Sequence, residues 1–133
     1  MKNKTLKTFA LFIFFSICVI SVSIGQNKLT VNQFDSLIKV NKTVQLIDVR
    51  TSAEMVEGYI KGAKNIDYNS PDFLQRMNSL DKSRPVAVYC GVGGRSGRTA
   101  IKLKEAGFAQ IFDLQGGLTE WKVKQKPIEV VKK

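Results

Sequence analysis

Apolar residues follow two patterns along this chain: short continuous runs, and longer segments in which they recur at helical spacing. The runs 44–49 and 86–89 are short and almost continuously apolar, which is typical of strands buried on both faces of a parallel sheet. Residues 110–114 form a third strand candidate and residues 63–66 a weaker fourth one. Because these strands alternate with helical segments, the pattern predicts an α/β fold. We expect a small, mainly parallel sheet flanked by helices on both faces.

Five helices are predicted from capping signals and from the spacing of apolar residues. Thr30 and Gln33 form a capping-box pair at the start of the first helix, and Thr51 and Glu54 form a second pair. Ser70, followed by a proline, supplies an N-cap and a favoured first residue for the third helix. The predicted helices cover residues 31–40, the short stretch from 51 to 58, and residues 71–80, 96–106 and 118–122, with an extended piece after residue 127.

The N-terminus has the pattern of a secretory signal peptide. Three lysines within the first seven residues precede an apolar run over 9–24, and small residues precede a cleavage position between Gly25 and Gln26. We therefore predict a signal peptide over residues 1–25, one domain over residues 26–133, and export to the periplasm or out of the cell. The apolar run is shorter than the roughly 20 residues of a transmembrane helix. The alternative is an uncleaved membrane anchor over 9–24, which would be the chain's only means of membrane association.

Charge and residue types exclude several classes of function. The chain carries a net charge of +10, and loss of three lysines with the signal peptide leaves 18 basic against 11 acidic residues, a net charge of +7. The basic residues form no stripe with interleaved aromatics, so nucleic acid is not an expected partner. The chain contains no histidine, which excludes Ser-His-Asp and Cys-His catalysis. Neither a metal site nor a cofactor is expected, whereas a small anionic substrate would gain from the positive field.

Cys90 is the candidate for chemistry, since it is the one cysteine left after the predicted signal peptide. It ends the run 86–89 and precedes a glycine-rich turn and a helix. Backbone N–H groups and the helix N-terminus can stabilise a thiolate or a sulfur-bound anion in such a turn. A small, inert, buried cysteine is the alternative, but Arg95 and the helix favour a nucleophile. Asp48 and Arg50 end another predicted strand and are expected on the same rim of the sheet.

Three groups of residues follow one another between about residues 30 and 121. They are the run 46–50 with Glu54, Gly58, Ile60, Gly62, Ala63, Asn65 and Ile66; the loop residues Cys90, Gly93, Arg95 and Ser96; and Gly107, Phe108, Leu114, Gly116, Gly117 and Trp121. In this order and spacing they make the chain after the signal peptide resemble a single-domain rhodanese, which is a sulfurtransferase. The resemblance implies a rhodanese-like fold.

The resemblance also implies covalent sulfur transfer through Cys90. The thiolate would attack the outer sulfur of a donor such as thiosulfate, release sulfite, and pass the sulfur of the resulting persulfide to cyanide or to a thiol. Arg95 would pair with an anionic donor or orient the loop, unless it forms a structural pair with a nearby carboxylate. Asp48 and Arg50 would hold the loops beside the site in a structural role. The implied substrate-binding residues are Gly91, Val92, Gly93, Gly94, Arg95 and Ser96.

Two residues depart from the family pattern. Many relatives carry an arginine directly after the cysteine, where this chain has Gly91. That change lowers the local positive charge and weakens the expectation of thiosulfate as the preferred donor. The family usually has a histidine where Tyr59 stands, and we expect a change in packing there and not inactivation.

Two other functions fit parts of the same pattern. Cysteine phosphatases place five residues between their cysteine and arginine, so that the loop encircles a phosphate. Only the four residues 91–94 separate Cys90 from Arg95, which favours sulfur over phosphate. The stronger alternative is a non-catalytic rhodanese-like binding or sulfur-carrier module in the cell envelope.

Overall fold

The computed structural model describes residues 25–131, which form one five-stranded parallel sheet. The strands are β1 (Gly25–Leu29), β2 (Gln45–Asp48), β3 (Lys64–Asn65), β4 (Val86–Tyr89) and β5 (Gln110–Leu114). Their order across the sheet is β1-β5-β4-β2-β3, and every neighbouring pair is parallel. The predicted α/β fold is confirmed. Strand β4, which leads into Cys90, lies at the centre of the sheet.

Helices cover both faces of the sheet and bury two apolar clusters against it. The helices are α1 (Val31–Val40), α2 (Ser52–Val56), α3 (Phe73–Asn78), α4 (Gly94–Glu105) and α5 (Gly117–Val123). Helices α3 and α4 pack on one face, where Phe73, Met77 and Leu103 contact apolar residues of the central strands. Helices α1 and α5 pack on the other, where the rings of Phe34 and Trp121 meet edge to face at 6.3 Å. No helix between residues 25 and 131 is both long and apolar enough to cross a membrane.

Strand β1 was not predicted, because its sequence carries little apolar signal. It is an edge strand with one large apolar residue, Leu29, and it pairs with β5 from Gly25 opposite Gln110 to Leu29 opposite Leu114. Gly25, the predicted last residue of the signal peptide, is therefore the first residue of the sheet. Residues 1–24 lie outside the described part of the chain, so the signal peptide and the alternative anchor over 9–24 stay predictions.

The predicted start of helix α3 was wrong. The helix begins at Phe73, and its N-cap is Asp72, which makes no capping hydrogen bond with its side chain. The Ser70 hydroxyl donates to the Asp72 carboxylate and is not free to cap, and the Phe73 N–H donates to the Ser70 carbonyl at 3.1 Å. Residues 70–72 therefore form a turn that precedes the helix.

The chain after residue 127 adds an extended piece, as predicted, and the structure shows where it lies. Tyr59 and Glu129 exchange two backbone hydrogen bonds of 2.8 Å in an antiparallel bridge. Ile128 packs beside Gly58, at which any Cβ would lie 2.7 Å from the Ile128 side chain. The segment that contains the family departure at Tyr59 is thus held by the C-terminal tail.

Candidate active site

Cys90 follows β4 directly and lies at the carboxyl end of the central strand, where open α/β sheets place their sites. The residue is 1 % exposed. The Gly93 N–H donates to its Sγ at 3.0 Å, and the Ser96 hydroxyl oxygen lies 3.5 Å from the same sulfur. The loop therefore turns backbone donors toward the thiol.

These donors change the acidity of the thiol. Burial raises the pKa of Cys90, because a thiolate loses hydration there. Hydrogen bonds from the Ser96 hydroxyl and from backbone N–H groups of Ser96, Gly93 and Val92 outweigh burial and hold the pKa of Cys90 below its ordinary value. A lower thiol pKa increases the fraction of thiolate, which is the nucleophilic form.

The start of helix α5 fixes the backbone of the loop. The N–H of Leu118 donates to the Cys90 carbonyl at 2.8 Å, and the N–H of Thr119 donates to the Gly91 carbonyl at 3.0 Å. Two carbonyl groups of the loop therefore point toward α5. The N–H groups of the loop are then free to point toward the sulfur.

Gly117 makes this contact possible. Its φ is +59°, and a Cβ at this position would lie 2.6 Å from both the Cys90 and the Gly91 carbonyl oxygens. Only glycine lets the two backbones approach so closely. The sequence predicts Gly117 as a turn and packing residue, and the structure adds its close approach to the backbone of Cys90, the candidate nucleophile.

Arg95 is bound to a carboxylate. Its Nη1 and Nη2 donate to the two carboxylate oxygens of Glu54 at 2.8 and 2.7 Å. The Arg95 hydrogen bonds lower the pKa of Glu54 to about 2. Of the roles considered for Arg95, the structure shows the structural pair, which ties the first turn of α4 to α2. Glu54 was noted only as a capping and motif residue, because nothing local in the sequence indicates a partner 41 positions away.

Asp48 and Arg50 hold the other side of the same rim. Arg50 Nη2 donates to Asp48 Oδ2 at 2.7 Å, and both side chains are buried. The Arg50 guanidinium also donates to the carbonyls of Gly58 and Glu54, at 2.7 and 3.1 Å. The pair therefore anchors α2, and with it the carboxylate that holds Arg95, to the end of β2. These contacts agree with the structural role that the sequence predicts for both residues, and that role stays a prediction.

The remaining loop residues differ in exposure and in the space beside them. Val92 is 73 % exposed at the tip of the loop, and Gly94 begins α4 with open space where a Cβ would stand. A Cβ at Gly91 would lie 3.7 Å from Arg95 Nη2 and 4.0 Å from Glu54 Oε1. A side chain after the cysteine would thus meet the ion pair, and Gly91 leaves that space open.

Asp113 is a polar residue near the site that sequence analysis missed. It lies in β5, it is 2 % exposed, and its Oδ1 has no hydrogen-bond partner within residues 25–131. A single acidic residue inside a strand gives no sequence signal for a site. In the same described part of the chain, no group of three acidic or cysteine residues is arranged to hold a metal ion.

The chain is similar to known proteins in both sequence and fold. The family model described as "Rhodanese-like domain" matches residues 30–124. The chain is 40 % identical over 87 residues to the uncharacterized protein YqhL of Bacillus subtilis, which covers 64 % of this chain and 68 % of that one. It is 33 % identical over 93 residues to the thiosulfate sulfurtransferase GlpE of Shewanella oneidensis, which covers 70 % and 89 %. A crystal structure of a rhodanese-like domain protein from Staphylococcus aureus superposes with a TM-score of 0.68 at 26 % identity, over 80 % of this chain and 99 % of that one.

Proposed function

The chain belongs to the family of rhodanese-like domains, and on that premise we propose that it is a sulfurtransferase that carries sulfur as a persulfide on Cys90. The observation that carries the proposal is the set of donors around Cys90 Sγ. The Gly93 N–H lies at 3.0 Å, the Ser96 hydroxyl at 3.5 Å, and α5 holds the loop in place. Preorganised donors of this kind stabilise charge on sulfur without reorganising during the reaction.

The first half-reaction loads the enzyme. The Cys90 thiolate attacks the outer sulfur of a donor such as thiosulfate, so that a new S–S bond forms as the bond between the donor's two sulfur atoms breaks. The bonding electrons leave with sulfite. The persulfide carries the negative charge on its outer sulfur, where N–H groups of the loop can reach it.

The second half-reaction releases the sulfur. A thiolate or cyanide attacks the outer persulfide sulfur, and the Cys90 thiolate leaves with the electrons of the broken S–S bond. The donors that hold the pKa of Cys90 below its ordinary value also stabilise this leaving group. The loop therefore serves both half-reactions with the same contacts.

Thiosulfate is proposed as a donor because a relative is named as a thiosulfate sulfurtransferase. The affinity of the loop for this anion depends on the charges near the loop. Glu54 neutralises the guanidinium of Arg95, and Gly91 adds no cation. We infer that Arg95 acts on the donor by positioning the loop and not by pairing with the anion. A phosphatase is disfavoured for the same reason. A phosphatase would need Arg95 to bind the phosphate, and Arg95 is paired with Glu54.

A sulfur-carrier module is the second candidate, and Val92 favours it. This apolar side chain is 73 % exposed at the tip of the loop that holds the nucleophile. Such a side chain suits contact with a partner protein whose thiol accepts the sulfur. The export predicted from the N-terminus would place either activity in the periplasm or outside the cell.

Sulfur transfer from thiosulfate to cyanide, followed as thiocyanate, tests the proposal. We expect multiple turnovers in the full chain and none above background in the Cys90→Ser variant, while the matched Cys18→Ser variant keeps its rate. Full activity without the Cys90 thiol would rule the mechanism out. A single loading without turnover would favour the carrier.

A further inference from the structure

A cavity lies on the face of the sheet that α1 and α5 cover, whereas Cys90 belongs to the apolar cluster of the other face. Its volume is about 390 Å³, which is within the range of small-molecule sites. The last turn of α1, the start of β2 and the segment before β3 form its walls. In a parallel sheet, the start of β2 and the carboxyl end of β4 lie at opposite rims. The cavity is therefore separate from the candidate active site.

The interior of the cavity is apolar. Ile38, Leu46, Ile60, Trp121 and Pro127 line it. Leu46, Ile60 and Trp121 are buried members of one apolar cluster, and Ile38 is packed against them. Because packing already fixes these side chains, the walls are preformed, as in most small-molecule sites. The cavity can therefore take up an apolar group without rearranging the cluster behind it.

Lysine side chains surround the apolar interior. Lys39, Lys42 and Lys61 all line the cavity. The one acidic residue among its lining residues is Asp35, which is buried. Lys39 and Lys126 both donate to Asp35 Oδ2, at 2.9 and 2.7 Å. Two ammonium groups thus hold one carboxylate, which leaves one positive charge in excess at this wall.

Lys42 and Lys61 are the cations most open to a ligand, because both are exposed at the rim. Within residues 25–131, Lys42 forms no ion pair. Lys61 Nζ lies 3.7 Å from Glu129 Oε1, and an exposed pair of this kind contributes little in water. The rim therefore presents positive charge to a group that enters the cavity.

The charge around the cavity indicates what can occupy it. A second copy of this chain is disfavoured, since the sequence carries a net charge of +10. Residues 1–24 are disfavoured for the same reason, since their sequence contains three lysines and no acidic residue. A negatively charged molecule with an apolar body matches both the interior and the rim.

We propose that the cavity binds a small organic anion, with its apolar body against Leu46 and Ile60 and its charged group beside Lys42 and Lys61. The interior supplies affinity, since each methylene that is fully buried there strengthens binding about fourfold. The lysines select the sign of the charge. This binding requires no chemistry at Cys90 and is independent of sulfur transfer.

Trp121 gives a direct readout, because it is the one tryptophan of the chain and lines the cavity. Its Nε1 N–H donates to the carbonyl of Pro127, another lining residue, at 3.0 Å. We expect a saturable shift of the indole N–H resonance when the full chain is titrated with octanoate. Hexanoate should bind at least about threefold more weakly, because it buries fewer methylenes. Octylammonium, with the same apolar chain and the opposite charge, should give no saturable shift.

The part played by the lysines is tested in a chain that carries both Lys42→Gln and Lys61→Gln. We expect its affinity for octanoate to fall at least about threefold, whereas Lys102→Gln with Lys104→Gln on α4 should leave the affinity unchanged. Both chains should keep the native rate of sulfur transfer, so failure of this proposal leaves the proposed function intact. The proposal is overturned if octanoate gives no saturable shift, if octylammonium binds as tightly, or if both double variants bind octanoate equally well.

Discussion

The chemistry of Cys90 depends on a few atoms within hydrogen-bond distance of its sulfur. Burial opposes ionisation, and the N–H of Gly93 with the hydroxyl and N–H of Ser96 more than offset it, so the pKa of the thiol is lowered. Their positions depend in turn on Gly117, where the first turn of α5 meets the Cys90 and Gly91 carbonyls. At this scale, we expect one added methyl group at Gly117 to displace the backbone of Cys90.

Gly117→Ala should therefore lower both stability and thiol reactivity. The positive φ alone costs about 1–3 kcal/mol in a residue with a Cβ, and the contact of 2.6 Å with two carbonyl oxygens forces the loop to move. The matched control is Gly62→Ala, since Gly62 has a φ of +84° and nothing within 4 Å of its would-be Cβ. Urea unfolding and iodoacetamide alkylation measure the two effects. If Gly117→Ala and Gly62→Ala lose the same stability and react equally fast with iodoacetamide, the close approach of Gly117 to the two loop carbonyls has no role.

Elements carry the contacts that orient the loop. Helix α2 holds Arg95 through Glu54, the buried pair Asp48 and Arg50 anchors α2 to β2, and α5 binds the loop carbonyls. Most elements could be predicted, because capping residues and apolar spacing are local. The ion pair between α2 and α4 could not, since it joins residues far apart in sequence.

The ion pair makes stability depend on pH. Glu54 has a pKa of about 2 in the folded protein, against about 4.3 for an unperturbed glutamate. A lowered carboxyl pKa stabilises the fold above the unfolded value, and this stabilisation is lost as the pH falls from there through about 2.

We therefore expect Glu54→Gln to be less stable than the native chain at pH 6 and to become equally stable as the pH approaches 2. Urea unfolding at several pH values measures the difference, and the exposed Glu105→Gln is the control. A difference that stays constant over this range would contradict a stabilising ionised pair.

Arg95→Lys tests whether the geometry of the pair positions the loop. Lysine keeps the charge but cannot bind both Glu54 oxygens in one plane. Small displacements of a reacting group can cost up to about 100-fold in rate, and we expect a loss of about 10- to 100-fold in sulfur loading. Arg98→Lys, on the exposed side of the same helix, should change the rate by less than about twofold. A native rate in Arg95→Lys would show that charge alone suffices.

Across the whole molecule, the parallel sheet brings the ends of β2, β4 and β5 to one rim, and that placement could be predicted from the alternation of strands and helices. The position of Cys90 at a strand end was predicted from the run 86–89. The burial of Asp113 against α4 could not be predicted, because it depends on the register of β5 against its neighbours and on the packing of α4. The edge strand β1 was missed because its sequence carries little apolar signal, and none of residues 26–29 is buried.

The intact mass of the protein after incubation with thiosulfate tests the central claim most directly, that Cys90 accepts sulfur as a persulfide. We predict a gain of one sulfur atom, reversed by cyanide, present in the Cys18→Ser variant and absent in the Cys90→Ser variant. The same spectrum gives the N-terminus of the chain and tests the predicted cleavage between Gly25 and Gln26. No gain in mass with thiosulfate or any other sulfur donor, or a gain that persists without the Cys90 thiol, would contradict the account.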